Sequence, residues 1–149
     1  MTLPKPEPGL VIGYSYLWKR EALAGLEEGR KDRPCAIILS TYEPANRGHR
    51  VVVAPISHQP PTDAALALEI PQNVKQALGL DWDRSWVHFE VNRFLWPGPD
   101  LRPVSRDEPS RFAYGHLPPK LFARIVTRIA ELATARRLSV TARTGNEET

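Results

Sequence analysis

A chain of 149 residues, 42% apolar and 25% charged, has the length and composition of one soluble globular domain with a single core. No apolar stretch approaches the ~20 residues needed to cross a bilayer, and the N-terminus lacks the charged-then-apolar layout of a signal peptide, so a cytoplasmic protein is expected. The lone Cys35 excludes an internal disulfide and a cysteine zinc site, while a net charge of +3 permits a polyanionic partner without requiring one.

In chain order, residues 1–7 carry two prolines, with a third at Pro8, and read as an irregular arm, with the single domain spanning residues 8–138. Residues 9–18 (GLVIGYSYLW) mix β-branched and aromatic side chains and predict a strand, with Gly13 at a bend or bulge. The charged run 19–33 could hold a helical turn near residues 20–23. Its glycines, Gly25 and Gly29, favour a long excursion between strands, and such loops are commonly functional. Residues 34–41 (PCAIILST) and 49–57 (HRVVVAPIS) are short apolar strands joined by a turn with Pro44, Asn46 and Gly48. A weaker strand is expected at 65–70. A brief helix follows at 71–79, with Pro71 at its first position and Gly79 closing it.

Residues 85–91 (SWVHFEV) alternate, Trp86, His88 and Glu90 on one face and Ser85, Val87, Phe89 and Val91 on the other. A proline-rich turn then leads to a short extension at 102–104. From Pro118 to about Arg137, Leu121, Phe122, Ile125, Val126, Ile129 and Leu132 recur at helical spacing, and Arg136 and Arg137 suit the negative end. Lys120, Arg124 and Arg128 form a basic row, either a solvated face or a surface toward RNA or a partner. Residues 139–149 read as a flexible polar tail. The elements together predict a mostly β fold, a small barrel or open sheet with helices packed on it.

Three features suggest chemistry. Glu27 and Glu28 precede Arg33-Pro34 at the mouth of a strand; Pro55-Ile56-Ser57 puts a hydroxyl at the end of another; the glycine-bearing charged loop lies beside both. An arginine, a carboxylate and a hydroxyl at one place suit phosphoryl chemistry, since a guanidinium braces two phosphate oxygens and a serine donates one more hydrogen bond. The plainer alternative is a surface ion pair and a strand-end serine. His58 offers a general acid or base, or an edge histidine held by a hydrogen bond. Trp86 and His88 could stack a base, Asn92 and Arg93 could line a groove beyond them, or the whole strand face could be structural. Asp81, Asp83 and Arg84 read as a structural turn. The four histidines are scattered, with none at metal-ligand spacing.

The ordered set Gly9-Leu10-Val11-Ile12, Gly25-Leu26-Glu27-Glu28-Gly29, Arg33-Pro34 with its apolar strand ending at Ser40, and Val51-Val52-Val53-Ala54-Pro55-Ile56-Ser57 resembles the PemK/MazF toxins over roughly residues 8–58. The resemblance implies an SH3-like barrel with a short helix and a C-terminal amphipathic helix. It implies a homodimeric endoribonuclease toxin that cuts single-stranded RNA without metal or other cofactor, leaving a 2′,3′-cyclic phosphate and a 5′-hydroxyl, and that is restrained by a cognate antitoxin. By position, the catalytic residues would be Arg33, Ser57 and Glu28, with Glu27 an equally reachable carboxylate; Glu27, His58, Trp86, His88, Asn92 and Arg93 are the candidate RNA contacts. Arg33 suits transition-state bracing better than proton transfer, because its pKa lies above about 12. The chain departs from the pattern in having Ser57 where threonine is usual, in its longer first loop, and in a tryptophan-rich segment after Ser57. A partner-binding toxin resembling CcdB, or a non-catalytic RNA-binding domain, are the alternatives on the same barrel.

Overall fold

The computed structural model describes residues 3–26, 29 and 31–143. Nine strands and three helices follow in the order β1 (Leu10–Tyr14), α1 (Lys19–Leu23), β2 (Arg33–Glu43), β3 (Gly48–Ser57), β4 (Ala67–Glu69), α2 (Gln72–Ala77), β5 (Trp86–His88), β6 (Glu90–Leu95), β7 (Leu101–Arg102), β8 (Ala113–His116), α3 (Pro119–Thr134) and β9 (Ser139–Ala142). The strands form one sheet whose main path is β4-β5-β3-β2-β1-β7. From it β6 branches off β3, and β8 off β1. All pairings are antiparallel except β6 with β9. Among the described residues these pairings close no ring, so the sheet is open.

The central strands are buried on both faces, which is why they read as unbroken apolar runs. Val11, Ala36, Ile38, Ala54 and Ile56 face one core, shared with α3 through Leu121, Ile125, Ile129 and Leu132. Leu10, Ile12, Tyr14, Cys35, Ile37, Val51 and Val53 face the other, closed by Tyr16, Trp18 and Phe94. Each buried α3 side chain contributes about 1.5–3 kcal/mol by leaving water. The helix stops at Thr134; Arg136, expected within its last turn, instead adopts a left-handed φ of 59° beyond it. At α2, Pro71 precedes the helix rather than opening it, and Gly79 follows with φ 72°. Gly13 is required by proximity rather than by a bend, since a Cβ there would lie 2.4 Å from the carbonyl oxygen of Arg102 on β7.

The alternation expected at 85–91 appears in burial: Ser85, Val87, Phe89 and Val91 are buried, while Trp86, His88 and Glu90 are half-buried. The segment expected as a flexible tail from residue 139 is different. Ser139–Ala142 add β9 to the edge of β6, and Arg143 is wholly buried. Its guanidinium donates to the Ser15 carbonyl at 2.6 Å and to Asn92 Oδ1 at 3.1 Å, and pairs with Asp100 at 3.2 Å. Asn92, also fully buried, accepts from Leu17 N–H at 2.9 Å and donates to the Leu17 carbonyl at 2.8 Å. These bonds fasten residues 15–17, which have no strand partner, to the body of the sheet.

Arg143→Ala should therefore remove the buried ion pair with Asp100 and the hydrogen bond to the Ser15 carbonyl and destabilise the fold by about 3–5 kcal/mol. Urea unfolding measures this as a fall in midpoint, and an unchanged midpoint would show that the network is dispensable.

Candidate functional site

Antiparallel pairing of β2 with β3 aligns Cys35 with Pro55 and Ala36 with Ala54. Arg33 opens β2 and Ser57 ends β3, so the two stand at the same end of this antiparallel pair. Both line a cleft of about 450 Å³, with His58, Trp18 and Asp81 on its walls. Of the residues expected to be catalytic, Arg33 and Ser57 are thus brought together. Glu28 and Glu27 lie outside the described residues.

Trp18 lines the cleft. It is only 5% exposed, and its backbone N–H donates to Glu21 Oε1 at 3.1 Å, starting α1. The guanidinium carbons of Arg20 and Arg33 lie 4.7 and 5.2 Å from the indole centroid, within cation–π range. Arg33 is half-buried, and its Nε has no hydrogen-bond partner among the described residues. Burial also lowers its pKa from the ordinary value. A partly desolvated guanidinium favours an incoming anion. The local charge favours one too. Asp32 pairs with Arg102 at 3.5 Å and Asp81 with Lys75 at 3.0 Å, so Arg20, Lys31 and Arg33 outweigh the acidic groups on the walls.

Ser57 Oγ accepts from the Gln59 N–H at 3.1 Å, which turns the chain at the end of β3 and leaves the hydroxyl hydrogen to donate elsewhere. His58 Nε2 contacts both oxygens of Asp81, at 2.9 and 2.8 Å. Behind Asp81, the wholly buried Lys75 ammonium donates to Asp81 Oδ1 and to the Asp83 carbonyl. His58, Asp81 and Asp83 offer ligand atoms within 4.8 Å of one another, yet Lys75 already supplies the positive charge that this cluster would ask of a metal.

A second cleft of about 480 Å³ adjoins the first, sharing Trp18, Arg20 and Gln59 and adding His88, Glu90 and Arg137. His88 meets Trp18 edge-on at 5.4 Å, and its Nε2 lies 2.8 Å from the Gln59 carbonyl. Burial, with the positive charges of Arg33 and Arg20, lowers the His88 pKa below the ordinary histidine value. Glu90 Oε2 accepts from the Tyr16 hydroxyl at 2.9 Å and from Lys19 N–H at 3.0 Å, while burial raises its pKa. A third cleft of about 300 Å³ lies on the other side of Arg33, toward Ser105 and Arg106.

Three expected RNA contacts are placed elsewhere. Asn92 is a buried structural amide, because β6 turns it inward to Leu17 and Arg143. Arg93, exposed on the next position of β6, lines none of these clefts and lies near Glu43 of the β2–β3 hairpin. Trp86 is covered by the Arg84 guanidinium at 5.0 Å and does not face the cleft. Sequence reasoning missed Trp18, Arg20, Lys31 and Asp81. Trp18 ends an apolar run and reads as core, which it also is. Asp81 reads as a turn residue, and only its partners reveal more.

Comparison with protein-family models, with characterised proteins and with solved structures yields no significant match for this chain.

The charge environment of His88 is directly measurable. In an NMR titration its ring proton should titrate below the ordinary histidine value of about 6.5. Arg33→Ala should move that midpoint upward by removing a positive charge, and an unchanged midpoint would contradict the placement of Arg33 beside it.

Proposed function

We propose that this protein is a metal-independent endoribonuclease of the PemK/MazF type. It cleaves single-stranded RNA through attack of the 2′-hydroxyl on the adjacent phosphate, giving 2′,3′-cyclic phosphate and 5′-hydroxyl ends. The observation that carries the reading is that Arg33 and Ser57, at one end of the β2–β3 pair, line one cationic cleft. The scissile phosphate binds between them. Arg33 braces its non-bridging oxygens as negative charge accumulates, and Ser57 donates one further hydrogen bond. The cleft on either side of Arg33 accepts the flanking nucleotides, Arg20 and Lys31 on one side and Arg106 on the other. Because the nucleophile belongs to the substrate, the chemistry asks of the protein charge stabilisation and proton transfer.

In this reading the open sheet is a variant of the SH3-like barrel, the active species is a cytoplasmic homodimer, and an acidic antitoxin segment silences it by occupying the same cationic cleft.

The test is cleavage of a mixed-sequence single-stranded RNA by purified protein in excess EDTA. Cutting should persist in EDTA and end in cyclic phosphate. Arg33→Ala should slow it by about 10²–10³-fold, the loss typical of removing one charge-stabilising donor, whereas Ser57→Thr should retain activity. A folded protein that leaves the RNA intact would refute the proposal.

A further inference from the structure

In the proposed reaction the 2′-hydroxyl loses a proton as the P–O2′ bond forms, and the 5′ oxygen gains one as the P–O5′ bond breaks. Arg33 is suited to neither transfer, since a guanidinium stays protonated at ordinary pH. Two histidines stand at the adjoining clefts, His58 in the first and His88 in the second.

Each ring has one nitrogen committed to a partner that only accepts. For His58 this is the Asp81 carboxylate, 2.8 Å from Nε2; for His88 it is the Gln59 carbonyl, also 2.8 Å from Nε2. In both rings Nε2 therefore keeps its hydrogen, and Nδ1 is where a proton is gained or lost. The same turn pins both, because Gln59 donates to Ser57 Oγ through its N–H and receives His88 on its carbonyl. Their surroundings differ in sign. His58 faces Asp81 and Asp83, with Lys75 behind them. His88 is half-buried against Trp18 with Arg20 and Arg33 nearby, and Glu90 lines the same cleft. Two imidazoles at adjoining clefts, each exchanging its proton at Nδ1, allow one site to supply an acid and a base together.

We propose that His58 and His88 are the proton-transfer pair of this site, His88 Nδ1 accepting the 2′-hydroxyl proton and His58 Nδ1 donating to the departing 5′ oxygen. Asp81, anchored by Lys75, is the positioning residue for His58. One proton enters His88 and one leaves His58, the P–O2′ bond replaces the P–O5′ bond, and water returns both rings to their starting states. The assignment rests on the ribonuclease reading.

The experiment uses the full chain and two RNAs of identical sequence, one with sulfur replacing the 5′ oxygen at the main cleavage position of the wild-type protein. A thiolate leaves without needing a proton. On ordinary RNA, His58→Ala and His88→Gln should each be slower by about 10²–10⁴-fold, with folding verified by thermal melting. The bridging sulfur should bring His58→Ala to within about tenfold of wild type and leave His88→Gln slow. Asp81→Asn should lose less and be restored by the sulfur as well, a pattern that a merely structural role does not produce. If His58→Ala fails to fold, His58→Gln makes the same comparison. A folded His58 variant that sulfur does not restore overturns its role as acid, and a His88 variant that is fully active or restored overturns its role as base. Wild type that cuts while both variants cut equally well overturns the pair and spares the ribonuclease reading. Wild type inert on both RNAs overturns both.

Discussion

The side-chain amide of Asn92 grips both the N–H and the carbonyl of Leu17, and the rest of the site depends on that grip. Residues 15–18 leave β1 without a strand partner, so their backbone groups must find hydrogen bonds elsewhere or stay in water. Asn92 and Arg143 provide them inside the protein. Two successive residues of the next turn are then set: Trp18, which lines the cleft, and Lys19, whose N–H meets Glu90. The loop returns so close to this segment that a Cβ on Gly29 would lie 2.0 Å from the Tyr16 carbonyl oxygen, which only glycine tolerates. A buried amide paired at both ends fixes one geometry, because any displacement strands polar groups away from water.

On this anchored segment the electrostatics of the cleft follow. Arg33 and Ser57 stand at the same end of the β2–β3 pair, and the indole of Trp18 lies beside both Arg33 and Arg20. Two guanidiniums near one ring would repel each other more weakly in open water than at a half-buried site. Their joint charge is what an anion relieves, and it adds to burial in lowering the His88 pKa. The acidic groups nearby are spent on other cations, Asp32 on Arg102 and Asp81 on Lys75.

Much of the fold was legible because local chemistry and tertiary environment agree. The runs at 34–41 and 49–57 are apolar on both faces and became the central strands; the α3 stripe is four residues in period and buries Leu121, Ile125 and Ile129 together. The tail failed the same reading for a physical reason. Ser139, Thr141 and Arg143 look like solvated chain, but a parallel edge position on β6 satisfies their backbone, and Asp100 with Asn92 satisfies the arginine. Polar composition signals disorder only when no buried partner waits for it. Asn92 misled in the opposite direction: a polar residue after an amphipathic strand suggests a surface, whereas here it completes a core.

The sequence by itself determined the central strands, the closing amphipathic helix and two candidate groups, Arg33 and Ser57, since a strand start and a strand end are visible in residue pattern. It also determined that the central strands are buried, because period and apolarity are local properties. What only the tertiary structure decided is which groups share a cleft. Trp18 and Arg20 join Arg33 across a loop, Asp81 finds His58 across 23 residues, and His88 finds the turn after Ser57 across 29. Such meetings are set by strand register and by buried hydrogen bonds between distant segments, and neither leaves a periodic trace in the chain.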